Sequence, residues 1–175
     1  MSLKQIANIR IGICNFVFNG VDLGHTLEGI DVEIERNFQD LVVDKYGDSP
    51  IDKAVIGHKA TIKAKFAEPV AELLTRINPE GLNQTGTAGT RNAFGTDSGT
   101  LLRQFAALLT LHPIKNAASD LTEDVVYYKA VNTNNIALNY KVKDQEAVEV
   151  TFEALVDESQ PSGRRLGHIG LTNIS

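Results

Sequence analysis

Tryptophan is absent from the 175-residue chain, cysteine and methionine occur once each, and aromatic residues make up only 6%. So few rings leave little for stacking on sugars or bases, which weakens a carbohydrate-binding or base-reading role. The lone thiol, Cys14, cannot close an intramolecular disulfide, so packing alone must hold the fold. In its apolar surroundings Cys14 reads as a small hydrophobe and not as a nucleophile. An excess of basic charge is also missing: a net charge of −5 and a pI near 5.3 argue against sequence-independent adhesion to DNA. No apolar run is long enough to span a bilayer, and Met1-Ser2-Leu3-Lys4-Gln5 opens no secretory signal, so the product is expected to stay where it is made, with no membrane partner. With 42% hydrophobic and 22% charged residues the composition is that of an ordinary globular protein. Its length suits one domain, residues 1–175.

Convergent chemistry is equally scarce. The histidines His25, His58, His112 and His168 are scattered and lack the short paired spacings of common zinc motifs. Gly95-Thr96-Asp97-Ser98-Gly99 superficially resembles the surroundings of a protease serine, but a nucleophile needs a base held by a third group, and a loop is the simpler reading. Gly86-Thr87-Ala88-Gly89-Thr90 is glycine-rich without a following Gly-Lys-Ser/Thr, so it lacks the phosphate-binding lysine of a nucleotide loop. The expectation is a protein with no catalytic residues, no metal and no cofactor.

What the chain has is strand pattern. Arg10 to Phe18 is rich in Ile, Val and Phe and ends at Asn19-Gly20, a strong hairpin signal. Ile30, Val32 and Ile34 alternate with Asp31, Glu33 and Glu35, the period of a half-buried strand with one acidic face. After Leu41 to Asp44, the segment Tyr46-Gly47-Asp48-Ser49-Pro50 predicts an exposed loop. Ala60, Ile62, Ala64 and Phe66 then alternate with Lys59, Thr61, Lys63 and Lys65, a second two-faced ribbon with a basic outer side.

The period changes at Val70, Leu73, Leu74 and Ile77, which predict a short helix over about 69–77 ended by Asn78-Pro79. Residues 79–100, heavy in Gly, Thr and Asn, read as a long flexible loop. A helical turn follows at 101–107, then an apolar strand from Leu108 to His112. Val125 to Val131, Ile136 to Val142 and Ala147 to Val156 read as three successive antiparallel strands, and the polar tail from about Ser159 as an extended segment. The fold class expected is mainly β: an antiparallel β-sandwich or partly closed barrel with one flanking α-helix.

Two readings compete for the acidic row. Carboxylates two apart on one strand face stand roughly 6.5–7 Å apart, too far for all three to share a cation unaided. Asp31, Glu33 and Glu35 therefore form a solvated acidic face, or they pair with Lys59, Lys63 and Lys65 across a sheet.

Four segments, in serial order, resemble the tail tube proteins of tailed phages: Phe16-Val17-Phe18-Asn19-Gly20-Val21-Asp22-Leu23-Gly24; Asp44-Lys45-Tyr46-Gly47-Asp48-Ser49-Pro50-Ile51-Asp52; Leu108-Leu109-Thr110-Leu111-His112-Pro113; and Thr122-Glu123-Asp124-Val125-Val126-Tyr127-Tyr128-Lys129-Ala130. The likeness covers roughly residues 10–156. It implies a structural, non-enzymatic virion protein made in the host bacterial cytoplasm, whose copies form hexameric rings that stack into a tube. Inner strands of a ring then join into one continuous β-barrel, and DNA passes through the lumen without specific binding. Other tail proteins, namely a tape measure, terminators and in contractile tails a sheath, would be its further partners. On this reading Asp31, Glu33 and Glu35 face the lumen, and Tyr46, Gly47, Asp48, Ser49, Pro50, Ile51 and Asp52 form a ring-stacking loop. The inner tube of a contractile tail, a bacteriocin or a secretion-type device would share these features, and a ligand-binding β-sandwich is the alternative of a different class.

Overall fold

The computed structural model describes residues 12–78, 80–95, 98–138 and 146–171. Strand β1 (Cys14–Phe18) turns into β2 (Val21–Asp22) through Asn19 and Gly20, at φ 49° and 75°. The type I′ form of a two-residue hairpin needs left-handed backbone at both central positions, which asparagine tolerates and glycine adopts without strain. Strands β3 (Thr26–Leu41) and β4 (Asp52–Phe66) then form a long antiparallel hairpin. Two irregularities interrupt it, one between the Leu27 and Ile30 pairs, where Glu28 and Gly29 have positive φ, and one between Asn37 and Phe38.

The helix α1 (Ala71–Ile77) buries Leu73 and Ile77, one turn apart on one face, and places Glu72 in its first turn and Arg76 in its last, as the peptide dipoles favour. The stretch expected to be a structureless loop instead forms a hairpin, β5 (Leu82–Gly86) with β6 (Gly89–Ala93). Polar cross-strand partners replace an apolar pattern here: Thr85 lies opposite Thr90, and Arg91 Nε donates to Gln84 Oε1. A 3₁₀ turn at Leu102–Phe105 leads into β7 (Ala107–Pro113), β8 (Val125–Asn132), β9 (Val148–Ala154) and β10 (Gly167–Ile169).

All strand pairs are antiparallel, and the main sheet runs β2-β1-β7-β8-β9-β4-β3, with β10 added alongside β8. Because β8 pairs directly with β9, the expected intervening strand is not inserted between them. Residues 136–138 carry no strand, Ile136 and Leu138 packing against the core instead, and residues 139–142 of that expected strand lie outside the described residues. The tail beyond Ser159 is also not a free extension. Asp157 N–H donates to Arg165 O at 2.8 Å, and the chain returns to pair Gly167–Ile169 with Val125–Tyr127.

The sheet curls on itself in sandwich fashion without closing into a barrel, β2 and β3 remaining its ends. Phe16 of β1 packs on Phe66 of β4 at 5.2 Å, edge to face, and on Phe152 of β9 at 5.5 Å, so the two halves of one sheet enclose a single aromatic core. Ile62, Leu109, Val148 and Val150 complete it, with α1 closing one side through Leu73 and Ile77. Burial pushes the Tyr127 phenol up to about 12, which keeps its hydroxyl protonated as a donor to Thr61 O at 3.4 Å.

Candidate assembly surface

Strand β9 pairs with β4 only over Thr61–Phe66. From Asp52 to Ala60, β4 has β3 as its one strand neighbour among the described residues, so the distal part of this hairpin projects beyond the sheet as a two-stranded ribbon. Its inner face continues the apolar row of the core: Ile30 lies opposite Ala64, Val32 opposite Ile62 and Ile34 opposite Ala60, then Arg36 opposite His58 interrupts the row before Phe38 opposite Val55, beyond the second irregularity. The row outruns its cover. Ile62 is fully buried, yet Ile34 is 51% and Phe38 48% exposed. The alternation that predicts a half-buried strand is therefore present, but from Val32 outward the apolar side meets solvent in the single subunit. The outer edge of β3, 16 residues long, has no strand partner among the described residues.

Asp31, Glu33 and Glu35 occupy the opposite face, all exposed. The register brings the predicted basic row onto that same face: Asp31 stands opposite Lys63 and Glu35 opposite Lys59, while Glu33 reaches Lys63 diagonally at 3.6 Å. Pairing with β9 adds Glu153 opposite Thr61 and Glu149 opposite Lys65, and Lys59 contacts Glu153 at 3.5 Å. Directly opposed residues share a face, which puts five carboxylates and three ammonium groups on it, and Glu28, from the irregularity in β3, adds a contact to Lys65 at 3.3 Å. The face is mixed in sign and net acidic, and its exposed ion pairs contribute little to stability.

The segment Tyr46 to Asp52 lies at the tip of the ribbon. Asp44–Tyr46 forms a 3₁₀ turn, Gly47 follows at φ 61°, and Ile51 N–H donates to Leu41 O at 2.8 Å to close the loop. Tyr46 is 57% and Ile51 56% exposed, and Val42 and Val43 beside them are also exposed. An apolar tip on a projecting ribbon is costly to leave in water and suited to a partner surface.

A cleft of about 490 Å³ opens on the apolar side of the ribbon, between Ile34, His58 and Ala60 on one wall and Gly163–Ile169 of the returning tail on the other, with Tyr127 also lining it. Sequence reasoning missed this cleft. Arg164-Arg165 stands out in a polar tail, but nothing in the sequence places it beside a strand more than a hundred residues earlier.

Among the described residues no three His, Cys, Asp or Glu side chains gather as a metal site. Cys14 is half-buried, and desolvation followed by the charge of Asp124 pushes its thiol up, away from a reactive thiolate. His112 Nδ1 lies 2.7 Å from the buried Asp124 carboxylate, a pair that ties β7 to the start of β8. Thr96 and Asp97 of the serine-containing loop lie outside the described residues. No helix of the described residues is long and apolar enough to cross a membrane. No protein-family model matches the chain, and no curated protein matches it in sequence.

Proposed function

We propose that this protein is a tail tube subunit, whose copies join into rings and stack into a hollow conduit for DNA. The observation that carries the reading is the projecting β3–β4 ribbon, with its unpaired 16-residue edge and its apolar row left outside the core. A long unpaired strand edge invites pairing with another chain, and natural proteins cover, twist or charge such edges when they stay single. Here a neighbouring copy does the covering. A heterologous contact between the β3 edge of one subunit and another surface of the next generates a closed ring if the rotation closes.

In such a ring the charged face turns to the lumen and the apolar row toward neighbouring subunits. The lumen is then lined by Asp31, Glu33 and Glu35 with the three lysines among them, and its net acidity repels the DNA phosphates without trapping them. The four-segment resemblance to tail tube proteins gives the hexameric count and the partners, a tape measure and terminators. Negative-stain microscopy of the concentrated protein tests the proposal. Rings or tubes with a central channel are expected, and particles that remain single subunits at high concentration, with no tail component able to recruit them, overturn it.

A further inference from the structure

The geometry points to the cleft beside the C-terminal tail as the receptor for the hairpin tip of another copy, so that tip and cleft are the two halves of the stacking contact. This rests on the tube reading and specifies which surfaces meet. Charge complementarity selects the occupant. Arg164 and Arg165 line the cleft, no Asp or Glu is among its described lining residues, and neither arginine has a carboxylate partner among the described residues, Arg165 Nε donating only to the Gln160 carbonyl. The tip presents Asp44, Asp48 and Asp52 against the single Lys45, together with exposed Tyr46 and Ile51. It is acidic and apolar where the cleft is basic and apolar. The cleft volume lies within the range of pockets that enclose small ligands, enough for the Tyr46 and Ile51 side chains.

A subunit cannot fill its own cleft. Ile34 lines the cleft and Val43 begins the tip, and at about 3.4 Å per residue they stand roughly 30 Å apart along one extended strand. Docking is therefore head to tail between copies, a contact that propagates along the ribbon direction as stacked rings require. Opposite charges on the two surfaces also steer the tip and fix its register.

Charge reversal on the full chain tests the assignment. Asp44, Asp48, Arg164 and Arg165 are all exposed, so reversing them leaves the core untouched. Arg164→Glu with Arg165→Glu, and separately Asp44→Lys with Asp48→Lys, should each raise the concentration needed for tube assembly roughly tenfold or more. The chain carrying all four reversals should assemble again, and the two double variants should assemble when mixed, since each supplies the surface that the other's reversed surface matches. Unimpaired tubes from either double variant, or no rescue in the quadruple variant, overturn the assignment while the tube reading stands on the wild type. If the cleft reversal blocks assembly and the tip reversal does not, another acidic segment is the occupant and the tip is excluded. A wild-type chain that never assembles removes the tube reading itself, and this contact with it.

Discussion

Asp157 shows how single side chains anchor the returning tail. Partial desolvation alone would raise its carboxyl, but hydrogen bonds from Lys129 and Ser159 and the Lys129 charge outweigh that and hold it below the ordinary carboxylate value. A depressed folded pKa contributes stability that is fully present above the unfolded value, near 4, and is lost as pH falls through the lower folded value. Asp157→Asn should therefore lower the thermal midpoint at pH 7, and the difference from wild type should shrink as pH falls through the lowered folded value. A midpoint difference that does not shrink as the solution is acidified would show that this charge plays no part. The anchoring was not legible in the sequence, because Lys129 reaches Asp157 only once β8 and the tail are neighbours, although the Asp157–Ser159 bonds are local. The core was more legible. The alternation through Ala60, Ile62, Ala64 and Phe66 marks the buried face of β4, since period two is a local property of extended backbone.

Among the elements, the β3–β4 hairpin was readable because Ile30–Glu35 and Lys59–Phe66 alternate cleanly and the connection is dense in turn formers. How far it projects was not, since that depends on where β9 stops pairing with β4, a non-local fact. The β5–β6 hairpin escaped for a different reason: Gln84, Thr85, Thr90 and Arg91 satisfy each other across the strands, so no apolar period marks it. Deleting residues 47–51 should leave the sheet intact, because the removed residues lie beyond the last β3–β4 pair, Leu41 with Asp52. Ring stacking should be lost, with soluble monomers or isolated rings in micrographs. Unchanged far-ultraviolet circular dichroism would separate this outcome from misfolding, and tubes of normal length would exclude the tip from stacking.

For the whole molecule, charge placement is the property on which transport would depend in the proposed tube. The sequence gives a net charge of −5 but not its distribution, and the interleaving of acidic and basic rows follows from the strand register. Replacing Asp31, Glu33 and Glu35 together with lysine changes the proposed lumen face from five carboxylates and three ammonium groups to two and six. All three positions are exposed in the subunit, so the ring contacts proposed for the opposite, apolar face should survive and tubes should form. DNA moving through the channel would then meet a cationic wall along its entire path, and each released counterion would favour binding over sliding. Virions assembled with this variant should eject slowly or stall, with the delay relieved as ionic strength rises, because salt screens such contacts. Ejection at the wild-type rate in low salt would place this face away from the DNA. Loss of tubes would instead place the three carboxylates in a subunit contact, so the two failures are told apart in one preparation.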